Sequence, residues 1–105
     1  MRIRKENDDL QEEEVLLIAE VSDALAHPVR IKLFRYVMSC NRSRTKVCNK
    51  DLVQEFNYSQ ATISQHMKKL QASQLVQVKK VDRFSYYYVN IGILGRYVKA
   101  VNKFE

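Results

Sequence analysis

The fold is decided by DLVQEFNYSQATISQHMKKLQASQLVQVKKVDRFSYYY, residues 51–88 of a chain of 105 residues. In its first half, apolar residues recur at the spacing of an amphipathic helix, in a short segment and then in a longer one. Asn57 lies between the two segments, and asparagine is one of the few residues besides glycine that tolerate a positive φ. The pattern therefore predicts two helices, over residues 49–56 and 59–73, joined by a tight turn.

The second half of this stretch predicts a two-stranded hairpin over residues 75–89. Two runs rich in β-branched and aromatic residues flank a short charged tip. Strand alternation places Phe84, Tyr86 and Tyr88 on one face and Ser85, Tyr87 and Val89 on the other. We interpret these aromatic residues as sheet packing, although stacking on single-stranded bases is an alternative. Two helices followed by a basic hairpin are typical of a winged helix–turn–helix.

The predicted helix 59–73 has a buried face and a polar face. Asn49 and Ser59 are the expected N-caps of the two helices, since both side chains can accept from free backbone N–H groups. We expect Ala61 at the tight contact between the helices. The buried set is Ile63, Met67 and Leu70, and the exposed set is Gln60, Thr62, Ser64, Gln65, Lys68 and Lys69.

Helical patterns also flank the central stretch. An apolar stripe begins at Leu10, and His27-Pro28 ends that helix and starts the next, because proline suits a first helical position. Residues 39–47 are polar and predict a loop. A last helix is predicted over residues 91–104, where Gly95 would permit another helix to approach. The fold class is thus mostly α with a small β-hairpin (α+β), with four helices before the hairpin and one after it.

Charge is distributed unevenly along the chain. The formal net charge is +6, yet residues 1–26 carry three basic and eight acidic residues, whereas residues 27–105 carry fifteen basic and four acidic residues. So basic a region is expected to bind a polyanion. We expect residues 1–9 to form a disordered or frayed lead and residues 10–105 to form a single domain.

Several classes of function are not supported by the sequence. There is no run of 18 apolar residues and no signal peptide, so we expect a cytoplasmic protein with free thiols and no membrane partner. There is also no glycine-rich phosphate loop, no paired histidine ligands and no nucleophile motif, so we expect neither an enzyme nor a cofactor.

The exposed face of helix 59–73 is the candidate reader of double-stranded DNA. It is uncharged near its N-terminus and basic near Lys68, so amides and hydroxyls would meet base edges while lysines meet phosphates. The helix would enter the major groove and the hairpin would serve as the wing. The candidate DNA-binding residues are Ser59, Gln60, Thr62, Ser64, Gln65, His66, Lys68, Lys69, Lys79, Lys80 and Arg83.

These motifs resemble those of the ArsR/SmtB repressors over residues 15–104. Residues 24–34 (ALAHPVRIKLF) are similar to the family's ALA-x-P-x-R-x-x-(I/L)-L. Asp51-Leu52 with residues 59–70 (SQATISQHMKKL) is similar to its DL…SQ-x-x-(V/I)-S-x-H-L-x-x-L, and Leu75-Val76 with Tyr87-Tyr88 is similar to its wing. The resemblance implies a winged helix–turn–helix homodimer, paired through its first and last helices. It also implies a repressor that leaves its operator when an effector binds.

The metal sites of that family do not carry over to this chain. Cys48 matches the first cysteine of a Cys-x-Cys motif, but Lys50 replaces the second, and residues 91–104 contain no Asp, Glu, His or Cys. We therefore expect no metal within one chain, while a zinc site shared between subunits through Cys40 or Cys48 stays an alternative. A thiol switch at Cys40 and Cys48 is a further hypothesis, since neighbouring cations favour the reactive thiolate.

A different class of function remains open at this point. The basic loop at residues 42–46 and the tyrosine-rich strand would also suit a winged-helix adaptor that binds protein or RNA instead of an operator. The two functions differ in a measurable preference, for duplex DNA in one case and for single-stranded RNA or a protein in the other.

Overall fold

The computed structural model describes residues 9–105. The expectation for residues 1–9 therefore lies, apart from Asp9, outside the described residues. Within these residues, five helices and one hairpin follow each other in the predicted order, and a 3-10 turn, Asn102–Phe104, comes directly after the last helix. The elements are α1 (Glu12–Ala24), α2 (Pro28–Arg42), α3 (Asn49–Phe56), α4 (Gln60–Ala72), β1 (Val76–Val81), β2 (Phe84–Val89) and α5 (Ile91–Val101).

The turn between α3 and α4 has the predicted local structure. Asn57 follows the last residue of α3 with a φ of 56°, in the left-handed region. Ser59 caps α4, because its hydroxyl accepts from the backbone N–H of Thr62 at 3.1 Å. Pro28 is the first residue of α2, as predicted, and the His27 ring caps that helix by accepting from the N–H of Val29. The starts of α2 and α4 are therefore both capped by side chains.

The predicted loop at residues 39–47 is too long, because α2 continues to Arg42. Asn41 explains the extension: its amide donates to the carbonyl of Tyr87 at 3.3 Å and accepts from the N–H of Val89 at 2.8 Å. These two bonds fix the last turn of α2 against β2, so a polar sequence stays helical there. Ser43 then bonds the carbonyl of Ser39 and ends the helix.

Two further predictions around α3 and α4 are wrong. Cys48, not Asn49, is the N-cap of α3, and the Asp51 carboxylate accepts from the N–H of Cys48 at 2.9 Å. Ala61 is exposed and does not lie between the helices. It precedes the buried Ile63 by two residues, which places it about 200° around the helix from the core-facing side.

The core lies where α1, α2, α4 and the hairpin meet. β1 and β2 pair antiparallel with Val76 opposite Val89 and Val81 opposite Phe84. The predicted strand alternation is confirmed, since Tyr87 is only 4% exposed and Phe84 is 41% exposed. The predicted buried face of α4 is confirmed too. The largest fully buried side chains are Leu33, Leu52, Ile63, Met67, Leu70 and Leu75.

The described helices carry no membrane-spanning signature. Among residues 9–105, no helix is both long enough and apolar enough to cross a bilayer. The longest described helix, α2, has fifteen residues, and charged residues interrupt it repeatedly.

Candidate nucleic-acid interface

α4 presents two polar flanks on either side of its buried stripe. Because a helix advances 100° per residue, Gln60, Ser64 and Lys68 lie towards the hairpin, while Thr62, His66 and Lys69 lie towards the N-terminus of α2. We call these the wing-side flank and the α2-side flank. Gln65 points away from the core between them and is exposed. The candidate residues of α4 therefore span its whole outer face, and the two ends of that face have different neighbours.

The wing-side flank forms one wall of a concave surface, here called the wing-side groove. The groove has a volume of about 500 Å³ and lies between α4, the start of α3 and the hairpin. None of the described residues that line it is acidic. Its cations come from α3, α4 and the hairpin, so the sequence alone does not show that they lie together. They are Lys50, Lys68, Lys80 and Arg83. A concave surface with charges of one sign concentrates the field acting on an anion.

The hairpin divides its basic residues between two faces. Lys80 and Arg83 line the wing-side groove, whereas Lys79 is exposed and does not line it. Alternation along β1 explains the split, since neighbouring side chains point to opposite faces. The tip can be tight because Asp82 adopts a φ of 57°. Two of the three hairpin candidates thus lie in the groove and the third lies outside it.

Asn49 connects the three walls of the groove. Its amide nitrogen donates to the hydroxyl of Ser64 on α4 and to the hydroxyl of Tyr87 on β2, each at 3.3 Å. Tyr87 is held independently, because its backbone N–H donates to the carbonyl of Val47 at 2.9 Å. The Oδ1 atom of Asn49 is buried and accepts from no group among the described residues. One side chain on α3 therefore links α4 to β2.

The α2-side flank has a different environment. The rings of His66 and His27 lie with their centroids 4.7 Å apart. Burial, followed by repulsion from His27 and from Arg30, lowers the pKa of His66, which favours the neutral ring. Arg30 is itself occupied, since it donates to the carbonyls of Ala24 at 2.7 Å and Asp23 at 3.2 Å. This flank therefore takes part in joining α1, α2 and α4.

Ser59 and Thr62 are bonded to each other. The Ser59 hydroxyl donates to the hydroxyl of Thr62 at 2.9 Å and accepts from the N–H of the same residue. Both hydroxyls thus belong to the helix cap. That role was predicted for Ser59 and not for Thr62, and a contact of either residue with DNA stays a prediction.

Several polar residues that line the groove were missed by the sequence analysis. Asn49 was interpreted as a cap, and Lys50 and Gln71 were not considered for binding. Gln71 follows Ser64 by seven residues, so helical spacing alone could have placed it on the wing-side flank. Lys50 offers no such signal, because only the packing of α3 beside the hairpin brings it to the groove.

The two cysteines have unequal access to solvent. Cys48 is buried, and its side chain accepts from the backbone N–H of Asp51 as part of the cap of α3. Cys40 is half-buried and lines a smaller cavity of about 260 Å³ with Tyr36 and Lys46. Burial, followed by hydrogen bonding with Cys40, raises the pKa of Tyr36. Among residues 9–105, no group of three or more His, Cys, Asp or Glu side chains is arranged to hold a metal ion.

Known proteins resemble the chain in sequence and in fold. A sequence model of the family described as "Bacterial regulatory protein, arsR family" matches residues 27–78. An arsenical resistance operon repressor from Staphylococcus aureus is 33% identical over 66 residues, which cover 63% of this chain. That match spans 60% of the length of the repressor.

Two solved structures have the same fold. An ArsR-like transcriptional regulator from Rhodococcus sp. RHA1 aligns with a TM-score of 0.73 and 22% identity, over 88% of this chain and 82% of its own. HlyU from Vibrio cholerae N16961 aligns with a TM-score of 0.68 and 16% identity, over 88% of this chain and 92% of its own. At these identities the structural likeness supports the winged helix–turn–helix fold.

Proposed function

Since the chain belongs to the arsR family of bacterial regulatory proteins, we propose that it is a sequence-specific DNA-binding regulator, a homodimeric repressor acting in the cytoplasm. The observation that carries this proposal is the wing-side groove. It sets the polar face of α4 beside four cations with no carboxylate among the described residues that line it. Such a surface suits a duplex, whose phosphates attract the cations while its base edges meet the amides and hydroxyls. We propose no catalytic activity.

The proposed contacts follow from the position of each residue. Gln60, Ser64 and Gln65 approach base edges in the major groove, because they lie on the wing side and the outer side of α4. The cations Lys50, Lys68, Lys80 and Arg83 approach phosphates. Lys79 extends from the other face of the wing, and we assign it a weaker phosphate contact. The remaining candidates are Ser59, Thr62, His66 and Lys69, and we assign them weaker contacts with the DNA backbone beside the α2-side flank.

A second copy of the chain is the proposed partner of α1 and α5. These adjacent helices expose apolar side chains, with Leu16 54% exposed, Ile91 63% and Val98 49%. Gly95 lies on the same face of α5 as Val98, and a Cβ placed there would meet no atom within 4 Å. The sequence predicted the approach of a helix at Gly95, and within the described chain none approaches. A twofold partner would cover this face and present two copies of α4 to a palindrome.

Regulation of the repressor by a thiol remains part of the proposal. Cys40 is the more accessible cysteine, and it lies near the end of α2 that bonds β2 through Asn41. Oxidation there would be transmitted to the wing. The substitution Cys40→Ser tests this idea, with Cys48→Ser as its buried counterpart. If peroxide and diamide alter operator affinity equally in wild type and in Cys40→Ser, the thiol plays no part.

The experiment that tests the proposed function is fluorescence anisotropy with the purified chain. The duplex would come from the region upstream of its own gene, with a scrambled duplex as control, at two salt concentrations. We expect tight and selective binding, two subunits per site, and an affinity that falls steeply with salt because counterions are released. Stronger binding to single-stranded RNA than to either duplex would instead support the adaptor function.

A further inference from the structure

We propose that Asn49 is a positioning residue that makes the Ser64 hydroxyl a hydrogen-bond donor, so that α4 selects an oxygen or nitrogen acceptor on the DNA. The inference rests on the proposed function and deepens it. It concerns the direction of one hydrogen bond, which decides whether the serine offers its ligand a donor or only an acceptor. The chemistry recognised is an acceptor, which both base edges and phosphate oxygens provide.

The geometry begins with the two hydrogens of the Asn49 amide. One N–H is directed to the hydroxyl oxygen of Ser64 and the other to that of Tyr87, each at 3.3 Å. A side-chain amide has two N–H donors and one carbonyl oxygen. With this orientation a single buried acceptor, Oδ1, lacks a partner among the described residues. The reverse orientation would remove both of these N–H···O bonds from Asn49.

The consequence for Ser64 follows from the bonds it makes. Its oxygen accepts from Asn49, and its O–H donates to no group in the part of the chain that the structure describes. The other serines of this region differ. Ser59 donates to Thr62, and Ser73 donates to the carbonyl of Leu70 at 2.9 Å. Ser64 is half-buried at the wing-side groove, so its hydrogen is available to a ligand that enters there.

The substitution that reverses this arrangement is Asn49→Asp. The carboxylate has nearly the shape of the amide but only accepts, so Ser64 would donate to it and lose its free hydrogen. We expect the fold to be kept, because a carboxylate is favourable in the first turn of a helix and α3 begins at this residue. Thermal unfolding would check that. The added charge also weakens DNA binding by itself, so the variant must be studied within a double-mutant cycle.

The cycle uses wild type, Asn49→Asp, Ser64→Ala and the double variant, with operator affinity measured by anisotropy. Ser64→Ala should weaken binding about fivefold, the scale of one hydrogen bond. Asn49→Asp should weaken binding in wild type by about fivefold more than it does in the Ser64→Ala background. Ser85→Ala is the matched control, because this residue lines the same groove without a bond to Asn49, and it should change affinity less than twofold.

Two further measurements distinguish the sources of the acceptor. If it lies on a base, Ser64→Ala and Asn49→Asp will both lose discrimination at the same operator position. If it lies on a phosphate, the losses will be equal on all sequences and will disappear when that phosphate is replaced by methylphosphonate. Either result supports the proposal. Additive effects in the cycle, or equal losses for Ser64→Ala and Ser85→Ala, would overturn it. A wild-type chain without selective duplex binding would overturn the proposed function as well.

Discussion

The two flanks of α4 carry similar side chains and have different surroundings. The wing-side flank has an amide, a hydroxyl and a lysine, namely Gln60, Ser64 and Lys68, and the α2-side flank has a hydroxyl, an imidazole and a lysine, namely Thr62, His66 and Lys69. From the sequence they formed a single DNA-facing set. In the fold, one flank lies beside an open groove and the other beside the start of α2.

The difference lies in what the neighbouring polar groups already bind. On the α2 side, Arg30 donates to carbonyls at the end of α1, and the His27 ring caps α2. On the wing side, Lys50 and Lys80 line a surface without acidic residues among those described. Groups that are satisfied within the fold contribute little to a ligand, whereas unneutralised cations attract one. Whether a polar residue can bind DNA thus depends on what it already bonds within the fold, and its chemical type alone does not decide this.

The largest effect is expected from reversing one charge on each flank. Lys68→Glu should weaken operator binding about tenfold or more at low salt, because it removes a phosphate contact and adds repulsion in the groove. Lys69→Glu changes the net charge equally, at the next position of the same helix, and should weaken binding much less. Anisotropy with both variants at two salt concentrations measures the difference, which should shrink as salt rises.

These two variants control for each other, since both lysines are exposed and both lie near the end of α4. Equal losses would mean that the general field of the protein, and not the groove, determines affinity. A larger loss for Lys69→Glu would place the DNA on the α2 side and reverse the comparison.

The next effect concerns stability and not binding. His66→Ala should lower the free energy of unfolding by about 1 kcal/mol, since the half-buried ring packs against His27. Operator affinity of the folded variant should stay within about twofold.

Gln65→Ala is the complementary variant to His66→Ala. The exposed side chain of Gln65 should contribute little to stability and should affect base preference. Denaturant unfolding and anisotropy on the same samples test both. A large loss of affinity in folded His66→Ala would mean that this residue makes a strong contact with DNA.

Local signals in the sequence predicted the reading unit well. The cap at Ser59, the left-handed Asn57 and the buried stripe at Ile63, Met67 and Leu70 are all confirmed. Each depends on neighbours within about four residues, where helix geometry and backbone sterics decide the outcome. The order of the elements and the winged fold followed from these local predictions together.

Predictions that needed contacts across the chain were less successful. The extension of α2 depends on Asn41 bonding β2, which lies more than 40 residues away in sequence. Lys50 reaches the groove only because α3 packs beside the hairpin, and Asn49 contacts Tyr87, 38 residues later. Periodicity carries no information on such pairs. The faces of α4 were therefore predictable as polar or apolar, while the partner of each polar face was not.

A smaller effect should separate the two faces of the wing. Lys80→Ala should weaken binding about threefold on all sequences and reduce the salt dependence by about one phosphate. Lys79→Ala should have less effect, because alternation along β1 turns this residue away from the groove. Measurements of affinity against salt concentration for both variants, on operator and on scrambled duplex, provide the test. A change in base preference for either lysine would contradict a phosphate contact.

The smallest expected effect is the pH dependence of the α2-side flank. Because the pKa of His66 is lowered in the folded chain, the unfolded chain binds more protons as the pH falls below about 6.5. Stability should therefore decrease with falling pH, from the unfolded pKa down to the lowered folded pKa, and be fully present above that window. His27 and Arg30 are the groups that face the ring and add repulsion when it is protonated. In His66→Gln, this part of the loss between pH 7.5 and pH 5.5 should be absent in denaturant unfolding. An identical pH dependence in wild type and in His66→Gln would show that neither burial nor the charges of the α2-side flank lower the pKa of this ring.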